Sequence, residues 1–376
     1  MLQSISIYPA SQTKESVVAN LLAPFPEGPD RYAEIEARGF LCNMYSDSFP
    51  QECLQASLML LEESGKLNIE EAQLGAHVVL AGLYAEAKEL EKADIHLRAT
   101  LQLMGRPTLG FRYKAMGTHM LGYMHWSKGE YAIAFDKVFE LLKEIDKVDS
   151  EGGRGWIYYS LGVFNYDIKD YENSVKYYSV AYDHFQRSEE KIQYHYGTAR
   201  SKTGIASCYI QLEKYTEAEK LLKESLEVYR HLMVTAGISR VLNDLATIEK
   251  TRKNYKDALA FQLEAYQIRS ETSHLQGKLT SLNELGEIYL KLADHPEAEK
   301  YLLEAKTLGE TLSAKAKRFR TYFLLSQLYK KTAQPEKALA CYEKFHELKE
   351  EVLGQNSTNE IKRLQNQFDR EKSERE

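Results

Sequence analysis

The sequence contains few of the residues that interrupt helices. Only 8 prolines and 21 glycines occur among its 376 residues, which is few for a loop-rich or all-β protein of this size. Hydrophobic residues make up 43% of the chain and charged residues 28%, so there is enough apolar material for a large packed core. The composition therefore argues against both an all-β fold and a disordered chain.

The chain also lacks a basic excess, paired cysteines and a long hydrophobic run. It has 49 Lys and Arg against 55 Asp and Glu, a net charge of −6, which argues against nucleic-acid binding by the whole chain. Its 4 cysteines include no CxxC pair, which argues against a disulfide framework and a zinc site. The longest apolar stretch, residues 77–84, is far shorter than the ~20 residues of a membrane-spanning helix, and the first residues do not form a secretory signal. We therefore expect a cytoplasmic protein that binds neither nucleic acid nor membrane.

Catalytic signatures are missing from the sequence as well. HExxH, Walker A, GxGxxG, GxSxG and EF-hand patterns do not occur, and the 10 histidines show no ligand spacing. The glycines of residues 151–156 (EGGRGW) lack the Lys-Ser/Thr of a phosphate loop and are interpreted as a turn between helices. The sequence thus predicts a protein that is not an enzyme and has no cofactor and no metal site.

The chain does contain a repeat. A small, alanine-type residue recurs at spacings of 41, 40, 44, 40, 40 and 40, with a second small residue twelve positions before most of its copies. A further step of 40 towards the N-terminus reaches Cys53, in a degraded eighth copy. The seven alanine-type positions are Ala93, Ala134, Ser174, Ala218, Ala258, Ala298 and Ala338.

Each copy predicts a pair of helices. Leu285, Ile288 and Tyr289 have helical spacing before a short polar turn, and Ala298 and Leu302 have it after the turn. The small residues would let the two helices approach closely where they cross. Because one hairpin cannot bury both of its faces, neighbouring hairpins should stack into a solenoid.

The repeat resembles the tetratricopeptide repeat. That repeat has a small residue at position eight, an aromatic at eleven, a tyrosine at seventeen and an alanine at twenty. Gly286, Tyr289 and Ala298 match three of these positions in one copy, and Tyr255 matches the tyrosine in the copy before it. The period of about 40 is longer than the usual ~34 and is similar to that of Rap-type regulators, kinesin light chains and the sensor regions of bacterial histidine kinases and nucleotide cyclases. The resemblance implies an all-α, right-handed superhelical solenoid of about seven repeats plus a degenerate N-terminal repeat.

The repeat divides the chain into four segments. We expect an N-terminal helix and Pro-rich linker in residues 1–33, a degenerate capping repeat in 34–73, seven helical hairpins in 74–350 and a C-terminal helix in 351–376. The C-terminal helix has a short heptad seam, which predicts either the start of a coiled coil with weak homodimerisation or a helix packed on the last repeat. The seam residues are Ile361, Leu364 and Phe368.

The resemblance also implies which residues line a concave groove. In tetratricopeptide solenoids the first helix of each pair forms the inner wall, and here that wall would contain both tryptophans, several tyrosines and scattered basic residues. Exposed aromatics indicate a binding surface, asparagines can pair with an extended peptide backbone, and arginines can hold carboxylates. An alternative is that the aromatics pack between the lengthened helices. The predicted groove residues are His119, Tyr123, Trp126, Trp156, Tyr159, Tyr166, Arg200, Arg240, Asn243, Lys250 and Asn283.

Two functional hypotheses follow from this resemblance. The first is a protein- or peptide-binding module that serves as the sensor or scaffold of an intracellular bacterial signalling protein. The alternative is a stand-alone, Rap-like regulator that responds to a peptide. In both, the partner is a protein or peptide segment in the groove.

Overall fold

The computed structural model describes most of the repeat region. It describes residues 13–29, 31–87, 89–127, 138, 140–143, 145, 150–189, 191–272, 275–312 and 315–353. Sixteen α-helices have bounds within these residues, residues 138 and 140–142 are helical as well, and the described residues include no β-strand. Ala134 and the seam residues Ile361, Leu364 and Phe368 lie outside the described residues, so the coiled-coil hypothesis stays a prediction.

In chain order, the bounds of these helices are α1 Lys14–Leu22, α2 Arg31–Tyr45, α3 Pro50–Leu67, α4 Glu70–Glu86, α5 Leu90–Met104, α6 Phe111–Ser127, α7 Glu151–Asp167, α8 Tyr171–Arg187, α9 Lys191–Gln211, α10 Tyr215–His231, α11 Thr235–Thr251, α12 Tyr255–Glu271, α13 Leu275–Lys291, α14 His295–Thr311, α15 Lys315–Lys331 and α16 Pro335–Leu353.

Consecutive helices pack as hairpins, and the hairpins stack. In a first compact unit, Met1–Gly237, the pairs α4–α5, α7–α8 and α9–α10 pack internally, and the first helices of neighbouring pairs touch in the order α2, α4, α6, α7, α9. In a second unit, Ile238–Glu376, α13 packs on α14 and on α15, and α15 packs on α16. The expectation of an all-helical repeat protein built from stacked antiparallel pairs is confirmed.

A left-handed residue ends the first helix of five pairs. These residues have φ between 55° and 66°, and the residue that follows donates its amide to a carbonyl five positions earlier, as Asn254 does to Glu249 at 2.9 Å. This pattern stops the first helix and reverses the chain within three residues. The five left-handed residues are Lys169, Glu213, Lys253, Ala293 and Ala333.

The small residues lie where paired helices cross, as the repeat predicts. A Cβ atom on Gly162 would come within 2.5 Å of the Tyr178 ring, so α7 and α8 could not approach this closely with a side chain there. The alanine-type positions Ala218 and Ala298 are completely buried. Ser174 takes the place of alanine in its copy, and its buried hydroxyl is satisfied by donating to the Gly162 carbonyl at 2.7 Å.

The glycines of residues 151–156 form a helix, and their interpretation as a turn is wrong. Helix α7 begins at Glu151, and the Ser150 side chain caps it by accepting a hydrogen bond from the Gly153 amide at 3.2 Å. A Cβ atom on Gly155 would come within 2.7 Å of the Phe185 ring. Glycine is therefore needed here for close packing.

The N-terminal pair also contacts a distant part of the first unit. The Tyr45 hydroxyl donates to the Leu232 carbonyl at 2.8 Å, and the Ser48 and Thr235 hydroxyls are 2.8 Å apart. Both contacts join the end of α2 to the turn between α10 and α11, and Tyr45 is buried. The repeat pattern alone does not predict this contact, because a regular solenoid contacts only its nearest neighbours.

Candidate functional site

Helices α6, α7 and α9 bring several of the predicted groove residues together around Arg200. The ring of Phe185 packs where Gly155 of α7 and Gly197 of α9 leave room for it, which sets these two helices close together. Trp156 directly follows Gly155, and Tyr196 directly precedes Gly197. The rings of Trp156 and Tyr196 meet, with centroids 6.3 Å apart. We call the group formed by His119, Trp156, Tyr159, Tyr196 and Arg200 the Arg200 cage.

The guanidinium of Arg200 lies among aromatic rings. Its Cζ atom is 4.7 Å from the centroid of Tyr159, 5.4 Å from Trp156 and 5.5 Å from Tyr196. Arg200 Nη1 donates to the Tyr196 hydroxyl at 3.2 Å. These distances are those of cation–π contacts, which stabilise a guanidinium that has left bulk water.

The histidine of the cage is neutral and presents an acceptor to Arg200. Burial, reinforced by the positive charge of Arg200, holds the pKa of His119 well below its usual range. The Ser160 hydroxyl donates to the Trp156 carbonyl at 2.9 Å, so it must accept from His119 Nδ1, which is 3.0 Å away. The proton is therefore on Nδ1, and the unprotonated Nε2 faces Arg200 Nη2 at 3.5 Å.

The cage has one positive charge and no negative charge. None of the described Asp and Glu side chains forms an ion pair with Arg200. Burial raises the pKa of both Tyr196 and Tyr229, so their phenols stay protonated at neutral pH. The indole Nε1 of Trp156 is buried and has no hydrogen-bond acceptor among the described residues.

The aromatic residues of the cage are more deeply buried than predicted. Trp156 is 3% exposed and Tyr159 is 1% exposed, so the expectation that they expose apolar surface is wrong. The physical reason is that Trp156 packs on Phe185 and His119, and that Phe40 of α2 meets Tyr196 edge-on at 6.2 Å. Arg200 itself keeps part of its surface exposed.

The other predicted aromatics are distributed differently. Tyr166 is partly buried at the end of α7, where it packs edge-on against Tyr171 at 5.5 Å. The side chains of Tyr123 and Trp126 lie outside the described residues, and their place in a groove stays a prediction.

The predicted basic and amide residues of the second unit are largely engaged within the protein. Lys250 forms ion pairs with Glu284 and Glu287, and Arg320 pairs with the same two carboxylates at 2.6 and 2.9 Å. Burial alone would raise the pKa of Glu287, but Lys250 and Arg320 hold it below its usual value. Lys250 is therefore not a free cation, and the expectation that it holds a ligand carboxylate is wrong.

The two asparagines one period apart are not equivalent. Asn283 is 2% exposed, accepts from the Thr321 hydroxyl at 2.8 Å and donates to the Lys317 carbonyl at 3.3 Å. Its amide is occupied, so the prediction of a matched peptide clamp is wrong for Asn283. Asn243 retains a buried Oδ1 without a donor among the described residues, and Arg240 is exposed.

Sequence reasoning missed Tyr196 of the cage and Phe40, which packs against Tyr196. Tyr196 lies between His195 and Gly197 on α9, and its only signal was an aromatic one turn before Arg200. Phe40 belongs to the degenerate first repeat, where the repeat pattern could not indicate that it reaches α9. Among the described residues, no cluster of three His, Cys, Asp or Glu side chains could hold a metal ion, and none of the described helices is long and apolar enough to cross a membrane.

A cleft shares one lining residue, Phe40, with the surroundings of the cage. It lies between α2, α4 and α6 and has a cavity volume of about 30 Å³. Glu36 and Glu71 line this cleft beside apolar walls. The lining includes Phe40, Leu74, Val78 and Tyr113.

Comparison with known families agrees with the helix pairs. A model of the tetratricopeptide repeat matches residues 153–231, 197–271, 237–311 and 278–351, which together cover more than half of the chain. The chain belongs to the tetratricopeptide repeat family. Among curated proteins, none matches its sequence significantly.

Several solved structures align with this chain at low sequence identity. A Rap protein complexed with competence and sporulation factor aligns with a TM-score of 0.58 and 13% identity, over 97% of this chain and 100% of that one. The apo form of RapI aligns with a TM-score of 0.49 and 14% identity, over 86% of this chain and 99% of that one. BtubC from P. vanneervenii aligns with a TM-score of 0.46 and 16% identity, over 64% of this chain and 92% of that one.

Proposed function

We propose that this chain is a non-catalytic module that binds a peptide or an extended protein segment on the first helices of its N-terminal repeats. The observation that supports the proposal most is the Arg200 cage, where a partly exposed cation lies among buried aromatics and pairs with none of the described carboxylates. Aromatics and arginine are the residue types that dominate the energetics of protein–protein contacts. The module would act as the sensor or scaffold of an intracellular bacterial signalling protein.

The cleft near the cage also supports an extended ligand. Phe40 lines the cleft and also meets Tyr196 of the cage, so one extended segment would reach both Glu71 at the cleft and Arg200 at the cage. Complementary charges of this kind fix the direction and register of a bound peptide. The engaged residues of the second unit, such as Lys250 and Asn283, are assigned a structural role instead.

A stand-alone, peptide-responsive regulator is the second candidate. It is favoured by the alignment with the Rap protein complexed with competence and sporulation factor, which extends over nearly the whole of both chains. In this version the bound segment would alter the contact between the N-terminal pair and the α10–α11 turn. Hydrogen exchange of residues 31–67 with and without a bound peptide distinguishes the two, because only the regulator requires a change there.

Selection from a random peptide library tests the proposal. Peptides selected on the full chain should bind wild-type protein saturably in calorimetry and should lose affinity in Arg200→Gln. Arg98→Gln on α5 is the matched control, because Arg98 is exposed and pairs only with Asp94 on the same helix. A selection that yields no saturable binder, or binders unaffected by Arg200→Gln, contradicts the proposal.

A further inference from the structure

None of the described Asp and Glu side chains pairs with Arg200, which sets it apart from the buried arginines Arg38 and Arg269. Arg38 is 1% exposed and pairs with Glu34 at 2.8 Å, and the buried Arg269 is influenced by Asp244 and Glu284. The acidic residue that acts on the cage, Asp47, raises the pKa of Tyr196 weakly and forms no ion pair with Arg200. Removing a cation from water is costly unless a counter-charge is close, so the folded cage has an unmet preference for an anion.

The cage also has more hydrogen-bond donors than acceptors. A guanidinium has five N–H donors, and Arg200 uses one on the Tyr196 hydroxyl, forms a side-chain hydrogen bond with Tyr159 and directs another donor to His119 Nε2 at 3.5 Å. Trp156 adds a buried indole N–H for which the described part of the chain offers no acceptor, on a side chain that is only 3% exposed. An indole N–H can only donate a hydrogen bond, so a ligand that pairs with both Trp156 and Arg200 must supply acceptors.

The donors of the cage fit a carboxylate better than a phosphate. A carboxylate has two coplanar oxygens with about four acceptor sites, which match the planar fork of a guanidinium and leave one site for an indole N–H. The aromatic walls and the neutral His119 provide no second cation, so the site suits a single negative charge better than a phosphate dianion. Arg200 is partly exposed, which gives a ligand access from solvent.

We propose that the Arg200 cage is a carboxylate-binding site that anchors the ligand of this module, with Arg200 and the Trp156 indole as its donors. The inference rests on the proposed function and adds the chemical class that the site recognises. The carboxylate comes either from the C-terminus of a peptide or from an Asp or Glu side chain. These two sources share the same chemistry and are separated by experiment.

Indole resonances of the full-length, ¹⁵N-labelled protein provide a direct test. The protein has 2 tryptophans, so Trp156→Phe assigns the Trp156 indole signal. The probes are acetyl-Leu-Gly-Leu with a free C-terminus, acetyl-Leu-Glu-Leu-amide and the neutral acetyl-Leu-Gln-Leu-amide. At least one of the two acids should move the Trp156 indole proton downfield saturably, and the neutral amide should not; the acid that binds identifies the source of the carboxylate.

Variants at Arg200 separate a binding role from a structural one. Arg200→Gln should weaken binding of the acid probe by about tenfold or more, as expected for loss of a charge-assisted pair. Arg200→Lys keeps the charge but loses the fork and should weaken binding less, while Arg98→Gln on α5 should bind like wild type. If Arg200→Gln does not fold, Arg200→Lys supplies the comparison.

Two results would overturn the inference. One is an indole shift that is the same for the acid and neutral probes, and the other is an acid affinity that folded Arg200 variants retain. A library-selected peptide that binds equally well after amidation and after Glu→Gln and Asp→Asn replacement would also overturn it, while leaving the proposed function intact. Acid probes that bind although the library selection yields no binder would contradict the proposed function and leave the carboxylate site intact.

Discussion

The hydroxyl of Tyr45 donates a 2.8 Å hydrogen bond to the carbonyl of Leu232, 187 positions further along the chain. Tyr45 is buried, and Ser48 makes a second contact to the same turn through Thr235. The N-terminal pair is therefore attached to the α10–α11 turn as well as to its neighbours in sequence.

Tyr45→Phe should destabilise the first unit. The ring is kept, but the Leu232 carbonyl loses a buried donor, so we expect a loss of about 1–2 kcal/mol in the free energy of unfolding. Urea denaturation measures the loss, and Tyr32→Phe is the control because Tyr32 is 53% exposed on the same helix. Equal stability of the two variants would show that the Tyr45 contact is not formed in solution.

Gly162→Ala should destabilise the α7–α8 pair. The new methyl group would meet the Tyr178 ring at 2.5 Å, and overpacking of this kind costs ~1–3 kcal/mol. Gly82→Ala is the matched control: it lies within α4, and its Cβ would have no neighbour within 4 Å. The control should be stabilised by ~0.5–1 kcal/mol through helix propensity alone, so thermal midpoints of the two variants should move in opposite directions.

The sequence predicts the hairpins far better than the site. The period of about 40 fixes the crossing points, because the close approach of two helices needs small residues such as Gly162 and Ala298 at fixed positions. The resemblance to the tetratricopeptide repeat also indicates His119, Trp156, Tyr159 and Arg200, which meet in the Arg200 cage. Position in a repeat does not determine exposure, so the burial of Trp156 was missed.

Long-range contacts account for the other errors. Lys250 and Asn283 occupy predicted wall positions. Lys250 pairs with Glu284, which also pairs with Arg320, and Asn283 accepts a hydrogen bond from Thr321. Phe40 and Tyr45 lie in the degenerate repeat and reach residues more than 150 positions away, such as Tyr196 and Leu232. Such contacts depend on the curvature of the stack, which a repeat period does not specify.

Lys253→Gly should stabilise the second unit. Lys253 has φ of 66° in an exposed turn, a conformation that disfavours a Cβ atom and suits glycine. We expect a gain of ~0.5–1 kcal/mol in urea denaturation, against little change for Lys253→Ala, which retains the Cβ atom. A loss of stability in the glycine variant would contradict the left-handed turn.

Acid should destabilise the first unit through His77. Burial, and then the neighbouring His96, lowers the pKa of His77 to about 4 from an ordinary value of 6.5. Between these values the unfolded chain binds a proton that the folded protein does not, so stability falls as the pH decreases from 6.5 to about 4. The slope is at most ~1.4 kcal/mol per pH unit for one such group.

His77→Gln isolates this contribution from that of the carboxylates. The variant should show a shallower loss of stability than wild type below pH 6.5, with the two curves parallel above it. The measurement is the urea midpoint as a function of pH. Superimposable pH profiles would mean that His77 is not held neutral beside His96, whose Nδ1 is 2.8 Å from that of His77.

Hydrogen exchange of the full chain with a library-selected peptide tests the central claim, that ligands bind on the first helices of the N-terminal repeats, most directly. We predict that bound peptide slows exchange in α7 and α9, the helices that contain Trp156 and Arg200, and that Arg200→Gln removes this protection while Arg98→Gln retains it. Protection confined to the second helices of the pairs, or protection in α7 and α9 that persists in folded Arg200→Gln, would contradict it.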